Sequence, residues 1–239
     1  MEKTFKFMAL LAMGAALAFA ACGRDDDNNN GSGTGGDTGT ETAEWVDLGL
    51  PSGLLWATCN LGASSPEEYG DYYAWGETTT KEVYDWSTYK YCTVDAEGGL
   101  ATLTKYNTRS DYGTPDNLTT LQAMDDVATQ KLGSGARMPT AVEWSEFIEN
   151  TTAEWITLNG VNGRKFTASN GNSLFLPAAG SRFGSELYSA GDDGDYWSSS
   201  LDADYPVGAW DFGFNSDGQS MLSTPRGDGR SVRPVRSAR

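Results

Sequence analysis

Carboxylates and cysteines are the side chains of this chain that could do chemistry, because its 239 residues contain no histidine. Without histidine there is no Ser-His-Asp or Cys-His nucleophile, no histidine-ligated zinc site and no ordinary proton shuttle at neutral pH. Carboxylate pairs are abundant, but among 33 Asp and Glu they arise by chance, and no glycine-rich phosphate loop is present. The residue types therefore predict a protein that is not an enzyme.

Three aspartates, Asp192, Asp193 and Asp195, lie in a glycine-containing loop and could offer hard oxygen ligands to calcium. Their spacing does not match the loop of an EF-hand. We therefore interpret the segment as a solvated acidic turn. The prediction is a protein that needs no metal or other cofactor, with calcium as the open alternative.

The N-terminus predicts export. Lys3 and Lys6 precede an apolar run over residues 7–21, which is too short to span a bilayer and has the length of a signal-peptide core. The string FAAC that ends at Cys22 resembles a bacterial lipobox, in which the cysteine is diacylated and becomes the mature N-terminus. We predict a lipoprotein signal peptide over residues 1–21 and lipidation of Cys22. The alternative is an ordinary signal peptide that contains a cysteine.

Residues 22–43 are predicted to be a flexible tether. Aspartates at 25–27 are followed by asparagines and a Gly/Thr-rich tract, which cannot bury enough apolar surface to fold. An acidic run directly after the lipidated cysteine resembles the surface-export signal of Bacteroidetes lipoproteins; the alternative is a solvated spacer. The resemblance implies a protein anchored in the outer membrane by its lipid alone and facing the cell exterior.

The other two cysteines, Cys59 and Cys92, are candidates for a disulfide bond, because an exported pair meets an oxidising compartment. The alternative is that both are unpaired and act as small buried hydrophobic residues. Redox catalysis is not expected, since the sequence has no Cys-x-x-Cys pair.

The elements that must position these side chains belong to residues 44–239, which have no linker composition and no fixed-period repeat and are predicted to be one domain. A helix is predicted over residues 121–132, ending at Gly133. A second helix begins at Thr140, where the hydroxyl and the carboxylate of Glu143 form a capping box.

Short strands joined by glycine and asparagine turns are predicted on both sides of the helices. They cover residues 45–48, 54–59, 155–158, 164–167, 173–176, 196–199, 209–214 and 231–235. Helices in the first half and strands concentrated in the second predict an α+β fold with an antiparallel sheet.

Several strings in a fixed order carry a family resemblance. They are WVDLGLPSG (45–53), LWATCN (55–60), GARMPT (135–140), LPAAG (176–180), YWSSS (196–200) and SVRPVR (231–236). Together they resemble the Fibrobacter succinogenes major paralogous domain, a family of exported bacterial proteins. That family is similar to the C-type-lectin-like fold, including its formylglycine-generating-enzyme branch. The resemblance implies paired first and last strands, two helices, and a long irregular C-terminal region with a binding face.

The same resemblance separates frame residues from ligand residues. The large tryptophans are interpreted as core rather than as ligand platforms, and two arginines as hydrogen-bonding supports. The copper-binding cysteine pair of the formylglycine-generating enzymes is missing, because no cysteine follows Cys92. The calcium-dependent sugar-binding signatures of lectins are absent as well. The frame residues are Arg137, Trp144, Trp197, Trp210 and Arg233, with Trp56 as a further core aromatic.

Charge along the C-terminal region is one-sided. No Lys or Arg lies between Arg182 and Arg226, where Glu186 and seven aspartates stand, and five arginines follow from Arg226 onward. With a net charge of −16 and a pI of about 4.2, the chain offers no basic surface for nucleic acid. A ligand face here would suit a cationic or hydrogen-bonding partner, and we expect a protein or glycan at the cell surface.

The region over about residues 181–230 also resembles the variable C-terminal segment in target proteins of diversity-generating retroelements. In those systems adenine-directed mutagenesis changes selected codons inside a constant frame. Asp, Gly, Ser, Thr, Leu, Phe and Pro, which occur here, are all reachable from the asparagine codon AAC by changing adenines. The predicted ligand-binding residues are Phe183, Tyr188, Asp192, Asp193, Asp195, Asp202, Asp204, Asp211, Gly213, Leu222, Ser223, Thr224, Pro225, Gly227 and Asp228.

The sequence thus favours a surface lipoprotein that binds a ligand without catalysis. The alternative is a structural or fimbria-associated surface component whose C-terminal region is an ordinary Gly/Asp-rich loop. The tripeptide Arg226-Gly227-Asp228 spells an integrin-binding motif, which we interpret as a chance match.

Overall fold

The computed structural model describes residues 43–133 and 135–238, so the predicted signal peptide, Cys22 and nearly all of the tether lie outside the described residues. The α-helices are α1 (Val127–Leu132) and α2 (Ala141–Glu149). The strands, in chain order, are β1 (Trp45–Asp47), β2 (Leu54–Ala57), β3 (Cys92–Val94), β4 (Leu100–Leu103), β5 (Ala136–Arg137), β6 (Thr151–Leu158), β7 (Val161–Ala168), β8 (Ser173–Pro177), β9 (Ser181–Phe183), β10 (Glu186–Tyr188), β11 (Gly194–Leu201), β12 (Gly208–Phe214), β13 (Gln219–Pro225) and β14 (Val235–Ser237).

The structure combines a few short helices with many antiparallel strands in small sheets, which is compatible with the predicted α+β class. One sheet has the order β1-β2-β14-β5, and two others are the meanders β6-β7-β8 and β11-β12-β13. The first and last strands of the described residues lie in one sheet, but the last strand pairs with β2 instead of the predicted first strand, because β1 occupies the other edge of β2.

Local signals position α2 as predicted, whereas the β6–β7 hairpin has longer strands and a tighter turn than the predicted strands 155–158 and 164–167 imply. The Thr140 hydroxyl accepts from the Glu143 backbone N–H at 3.2 Å, and the Glu143 carboxylate accepts from the Thr140 N–H at 2.8 Å. Asn159 and Gly160 turn the hairpin with φ of 49° and 88°, the two positive values that a type I′ turn requires.

The first predicted helix is shorter than expected. A 3₁₀ turn over Ala123–Asp125 precedes α1, which begins only after Asp126 and ends at Gly133. The Asp126 carboxylate accepts from the backbone N–H of Thr129 at 3.0 Å and from that of Met138 at 2.9 Å. Asp126 therefore caps a helix at a point where the sequence pattern predicted the helix interior.

Two clusters of buried side chains make up the core, and β11 lies between them. Tyr196 and Trp197 are neighbours on β11, yet each belongs to a different cluster, because successive strand side chains point to opposite faces. The α2 core, which surrounds helix α2, contains Trp56, Trp144, Phe147, Phe166, Tyr196 and Phe212. The tyrosine core contains Tyr73, Trp75, Tyr84, Tyr106 and Trp197.

The predicted core role is confirmed for Trp56, Trp144 and Trp197, whose side chains are fully buried. It is wrong for Trp210, which is only partly buried and belongs to neither cluster. Trp210 lies on β12 beside the stretch where the register of β11 shifts between Trp197 and Leu201, so it pairs with Ser223 of β13 but with no residue of β11.

Candidate ligand-binding face

The meander β11-β12-β13 brings predicted site residues onto one side of a sheet. Asp195 pairs with Gly213, and Asp211 pairs with Leu222. Direct partners in an antiparallel sheet carry their side chains on the same face, so these residues and Thr224 share a face. The opposite face carries Phe212 and Phe214, which pack into the α2 core.

At the β12–β13 end, the shared face opens into a cleft of about 490 Å³. Carboxylates, amides and a hydroxyl line it, so the cleft is acidic and rich in hydrogen-bonding groups. Gly213 forms part of its wall, where a Cβ would stand 2.6 Å from Leu222 Cδ1 and force that side chain to move. The residues that line the acidic cleft are Asp193, Asp195, Gly213, Phe214, Asn215, Asp217, Gly218, Gln219, Ser220 and Leu222.

Arg164 of β7 holds the hairpin loop that borders the acidic cleft. Its Nε donates to the Asn215 carbonyl at 2.7 Å, and its terminal nitrogens donate to Gln219 Oε1 at 2.6 Å and to the Ser216 carbonyl at 3.2 Å. The role of Arg164 could not be predicted from the sequence, because its partners are more than 50 residues away and its strand gives no signal beyond alternation.

Arg230 lies beneath the shared face and is surrounded by three aspartates. Its Nη1 is 3.0 Å from Asp195 Oδ1 and 3.5 Å from Asp211 Oδ2, and its Nη2 is 3.8 Å from Asp228 Oδ2. The guanidinium also lies 5.2 Å from the centre of the Trp197 ring. Burial raises the pKa of Asp211 to about 7 and that of Asp228 to about 6.

The β9–β10 hairpin adds exposed aromatic residues beside this face. Phe183 is 60% exposed and Tyr188 is 51% exposed. The hairpin is attached through Ser181, which hydrogen-bonds the Asp195 carboxylate, and through Arg182, whose N–H donates to the Gly229 carbonyl at 2.7 Å. The aromatics therefore project from a backbone that is joined to the segment carrying Asp228.

Not every predicted ligand residue joins this surface. Asp211 is fully buried, and Gly227 is buried where an added Cβ would lie 3.2 Å from the Asp85 backbone, so neither is placed to contact a ligand directly. Ser223 and Pro225 lie on the other side of β13 from Leu222. Ser223 donates to Asp202 Oδ2 at 2.5 Å and forms a separate group with it, near the exposed residue Asp204.

Arginines supply much of the frame. As predicted, Arg137 is a hydrogen-bonding support: it forms two bonds to the Glu143 carboxylate, at 2.7 and 2.5 Å. Arg233, the other predicted frame arginine, is fully buried among oxygen acceptors.

Arg226 is a further frame arginine that was not predicted; it is fully buried over the Trp75 and Tyr89 rings. Its burial also means that the Arg226-Gly227-Asp228 tripeptide is not presented.

The predicted disulfide between Cys59 and Cys92 does not form in this structure. Cys92 carries a free thiol, which donates to the Trp86 carbonyl at 3.2 Å and to the Tyr89 carbonyl at 3.4 Å. Cys59 is buried beside the Thr58 hydroxyl. The Cys92 thiol is thus directed towards the backbone carbonyls of two neighbouring aromatic residues.

Within residues 43–133 and 135–238, no group of three or more His, Cys, Asp or Glu is placed to hold a metal ion. The helices of the same ranges include none that is long and apolar enough to cross a membrane. No family model, curated protein or solved structure matches the chain.

Proposed function

We propose that this chain is a surface-displayed lipoprotein that binds a partner protein without catalysis. Its recognition face is defined by Phe183, Tyr188, Asp193, Asp195, Asp217 and Leu222. The observation that carries the proposal is the juxtaposition of exposed aromatic and aliphatic side chains with an acidic cleft, on strands fixed from below. Such a mixture of apolar anchors and polar groups is typical of protein-binding surfaces.

The charge of the recognition face favours a basic partner. Asp193, Asp195 and Asp217 line the cleft, and the basic side chains next to them, Arg164 and Arg230, are already engaged with carbonyls and carboxylates. A basic segment would find the carboxylates of Asp193 and Asp217 there, with which Arg230 forms no ion pair, whereas a polyanion would be repelled. The exposed area of Phe183, Tyr188 and Leu222 suits apolar contacts with a protein more than with a glycan.

We further propose that the fold is C-type-lectin-like and that its C-terminal region is diversified by a retroelement. Support comes from the two helices, the sheet that joins the chain ends, and the exposure of Phe183, Tyr188, Asp192 and Leu222 around a buried frame. The genomic neighbourhood tests the diversification. A reverse transcriptase gene with an adenine-rich near-copy of the 3′ coding sequence is expected, and the absence of both would remove this part of the proposal.

Replacing Phe183, Tyr188 and Leu222 together by serine is expected to abolish binding and to leave the melting temperature unchanged. Loss of even one such anchor weakens an interface by about 30-fold. The full chain is titrated with an arginine- and tyrosine-rich peptide, and a glutamate-rich peptide of the same length is the negative control.

The matched control carries Met124→Ser and Val142→Ser, which remove side chains that are 66% and 77% exposed away from the recognition face. Equal binding by the two variants, or equal binding of the two peptides to the native chain, contradicts the proposal. Unfolding of the variant with serine at positions 183, 188 and 222 would instead support a structural role for this surface.

For the lipid anchor, protease added to intact cells is expected to digest the protein while a periplasmic marker stays intact. The reason is the predicted signal peptide, the lipobox ending at Cys22 and the acidic run that follows. Cys22→Ala should release the chain from the membrane fraction. Complete protection from the protease would show that the protein does not face the cell exterior.

A further inference from the structure

The strongest unexplained feature is a buried charge imbalance beneath the recognition face. Asp195, Asp211 and Asp228 all lie within 3.8 Å of one guanidinium, that of Arg230. The side chains are 15%, 0% and 16% exposed for the aspartates, and 8% exposed for Arg230. They come from β11, from β12 and from the segment after β13, so the cluster joins three parts of the chain.

Charge counting shows why this cluster cannot be fully ionised at low cost. If all three aspartates were charged, the single guanidinium would leave two buried negative charges uncompensated. The nearby Asp193 carboxylate adds to the repulsion at Asp195. Binding one proton removes part of this cost, as happens when carboxylates share a site.

Hydrogen bonding identifies the position that most needs the proton. Asp211 Oδ1 accepts from the Thr224 hydroxyl at 3.0 Å. Asp211 Oδ2 and Arg230 Nε are buried without a hydrogen-bond partner among the described residues. The guanidinium therefore does not satisfy all three carboxylates at once: Asp211 and Asp228 lie 3.5 and 3.8 Å from it, and of these two only Asp211 is fully buried.

We propose that Asp195, Asp211, Asp228 and Arg230 form a proton-binding site that couples the stability of the recognition face to pH. Proton binding at this site needs no ligand, so it is independent of the proposed function. Burial, which disfavours the charged form, also raises the pKa of Asp211 to about 7 and that of Asp228 to about 6.

The direction of the effect follows from proton linkage. An aspartate in the unfolded chain titrates near pH ~3.9, whereas folded Asp211 keeps its proton until about pH 7. Folding therefore takes up a proton between these values, and the stabilisation is present at acidic pH and is lost as the pH rises through about 7. Above that pH, Asp195, Asp211 and Asp228 repel one another directly below the cleft.

Asp211→Asn mimics the protonated side chain and tests the proposal. Thermal unfolding of the full native chain is measured from pH 5 to pH 8 at constant ionic strength. As the pH rises from 5 to about 7, the melting temperature of the native protein is expected to fall, relative to that of the variant, by about 4 °C per pH unit. Asp217→Asn, which removes a charge from the cleft rim outside the cluster, should keep the native slope.

Parallel pH profiles of the native chain and of Asp211→Asn would overturn the proposal. If Asp211→Asn does not fold, side-chain carboxyl ¹³C shifts of the native protein decide instead. At least one aspartate is expected to titrate with a midpoint near 7. Titration of every aspartate below about pH 5, close to the ordinary range for this side chain, would also overturn it.

Discussion

Replacing Arg233 by methionine is expected to lower the free energy of unfolding by about 3–5 kcal/mol. Arg233 is fully buried, and its guanidinium donates to Asn60 Oδ1 at 3.0 Å, to the Ala57 carbonyl at 3.1 Å and to the Phe175 carbonyl at 3.2 Å. Methionine fills much of the same space but leaves these acceptors buried and unsatisfied, at about 1–3 kcal/mol each.

The position of Arg233 explains why its loss should be global. Ala57 ends β2, Phe175 lies on β8, and Asn60 also donates to the Tyr69 carbonyl at 2.8 Å. One guanidinium thus joins two sheets and a loop to the C-terminal segment. Burial lowers the pKa of Arg233 to about 10, which still leaves the group charged at neutral pH.

Urea unfolding of the full chain measures the effect. Arg233→Lys keeps the charge but not the planar fork, so an intermediate loss is expected. Arg109→Met is the matched control, because Arg109 is 49% exposed and water screens its ion pair with Asp111, so its loss should change the stability little. A change of less than about 1 kcal/mol for Arg233→Met would contradict the role assigned to it.

Features fixed by neighbouring residues could be predicted from the sequence. The Thr140–Glu143 capping box needs only positions three apart, and the Asn159-Gly160 turn needs only two residues that tolerate positive φ. Most predicted strands overlap observed ones, but the last strand is Val235–Ser237 instead of the predicted 231–235, and β3, β4, β5, β9, β10 and β13 were not predicted. Each of these signals lies within a few residues of the structure that it predicts.

Features that depend on tertiary contacts could not be predicted. The segment before α1 does not continue the helix, because Asp125 is drawn to the Tyr106 hydroxyl at 2.7 Å and to Lys105 Nζ at 2.5 Å. Cys92 packs against its own neighbours instead of reaching Cys59. The partners of Asp125 are 19 and 20 residues away in the sequence, whereas those of Cys92 are nearby backbone carbonyls. Neither set of contacts has a signal in the sequence pattern.

The candidate site shows the same division. Charge counted along the chain predicted a region without cations between Arg182 and Arg226, yet Arg230 folds back beneath it and pairs with two of its aspartates and with Asp228. Alternation on β12 turns Asp211 inward, whereas Leu222, its partner on β13, remains 42% exposed. Which aspartates contact a ligand and which support the surface therefore depends on strand register.

A continuous set of contacts links the core to the recognition face. Trp144 Nε1 on α2 donates to the Trp197 carbonyl at 3.3 Å, and Trp197 Nε1 donates to the Tyr73 carbonyl at 2.7 Å. Arg230 stacks on the same Trp197 ring and binds Asp195 of the cleft. A substitution that disrupts the packing of α2 should consequently also disturb the recognition face.

Replacing Trp144 by alanine is therefore expected to remove about 3–5 kcal/mol of stability. The Trp144 ring is fully buried, with ring centres 4.8 Å from Trp56 and 4.9 Å from Phe212. Alanine leaves a cavity among rigid aromatic rings that cannot collapse to fill it. Because a domain is stabilised by about 5–15 kcal/mol in total, a large fraction of the variant molecules should be unfolded at denaturant concentrations that leave the native protein folded.

The measurement is chemical unfolding followed by tryptophan fluorescence and circular dichroism. Val142→Ala on the same helix is the control, because Val142 is 77% exposed and its truncation should leave the midpoint nearly unchanged. Trp144→Phe keeps a ring but loses the hydrogen bond to Trp197, so its cost should fall between the two. If Trp144→Ala were no more destabilising than Val142→Ala, α2 would not be the element on which the core and the recognition face depend.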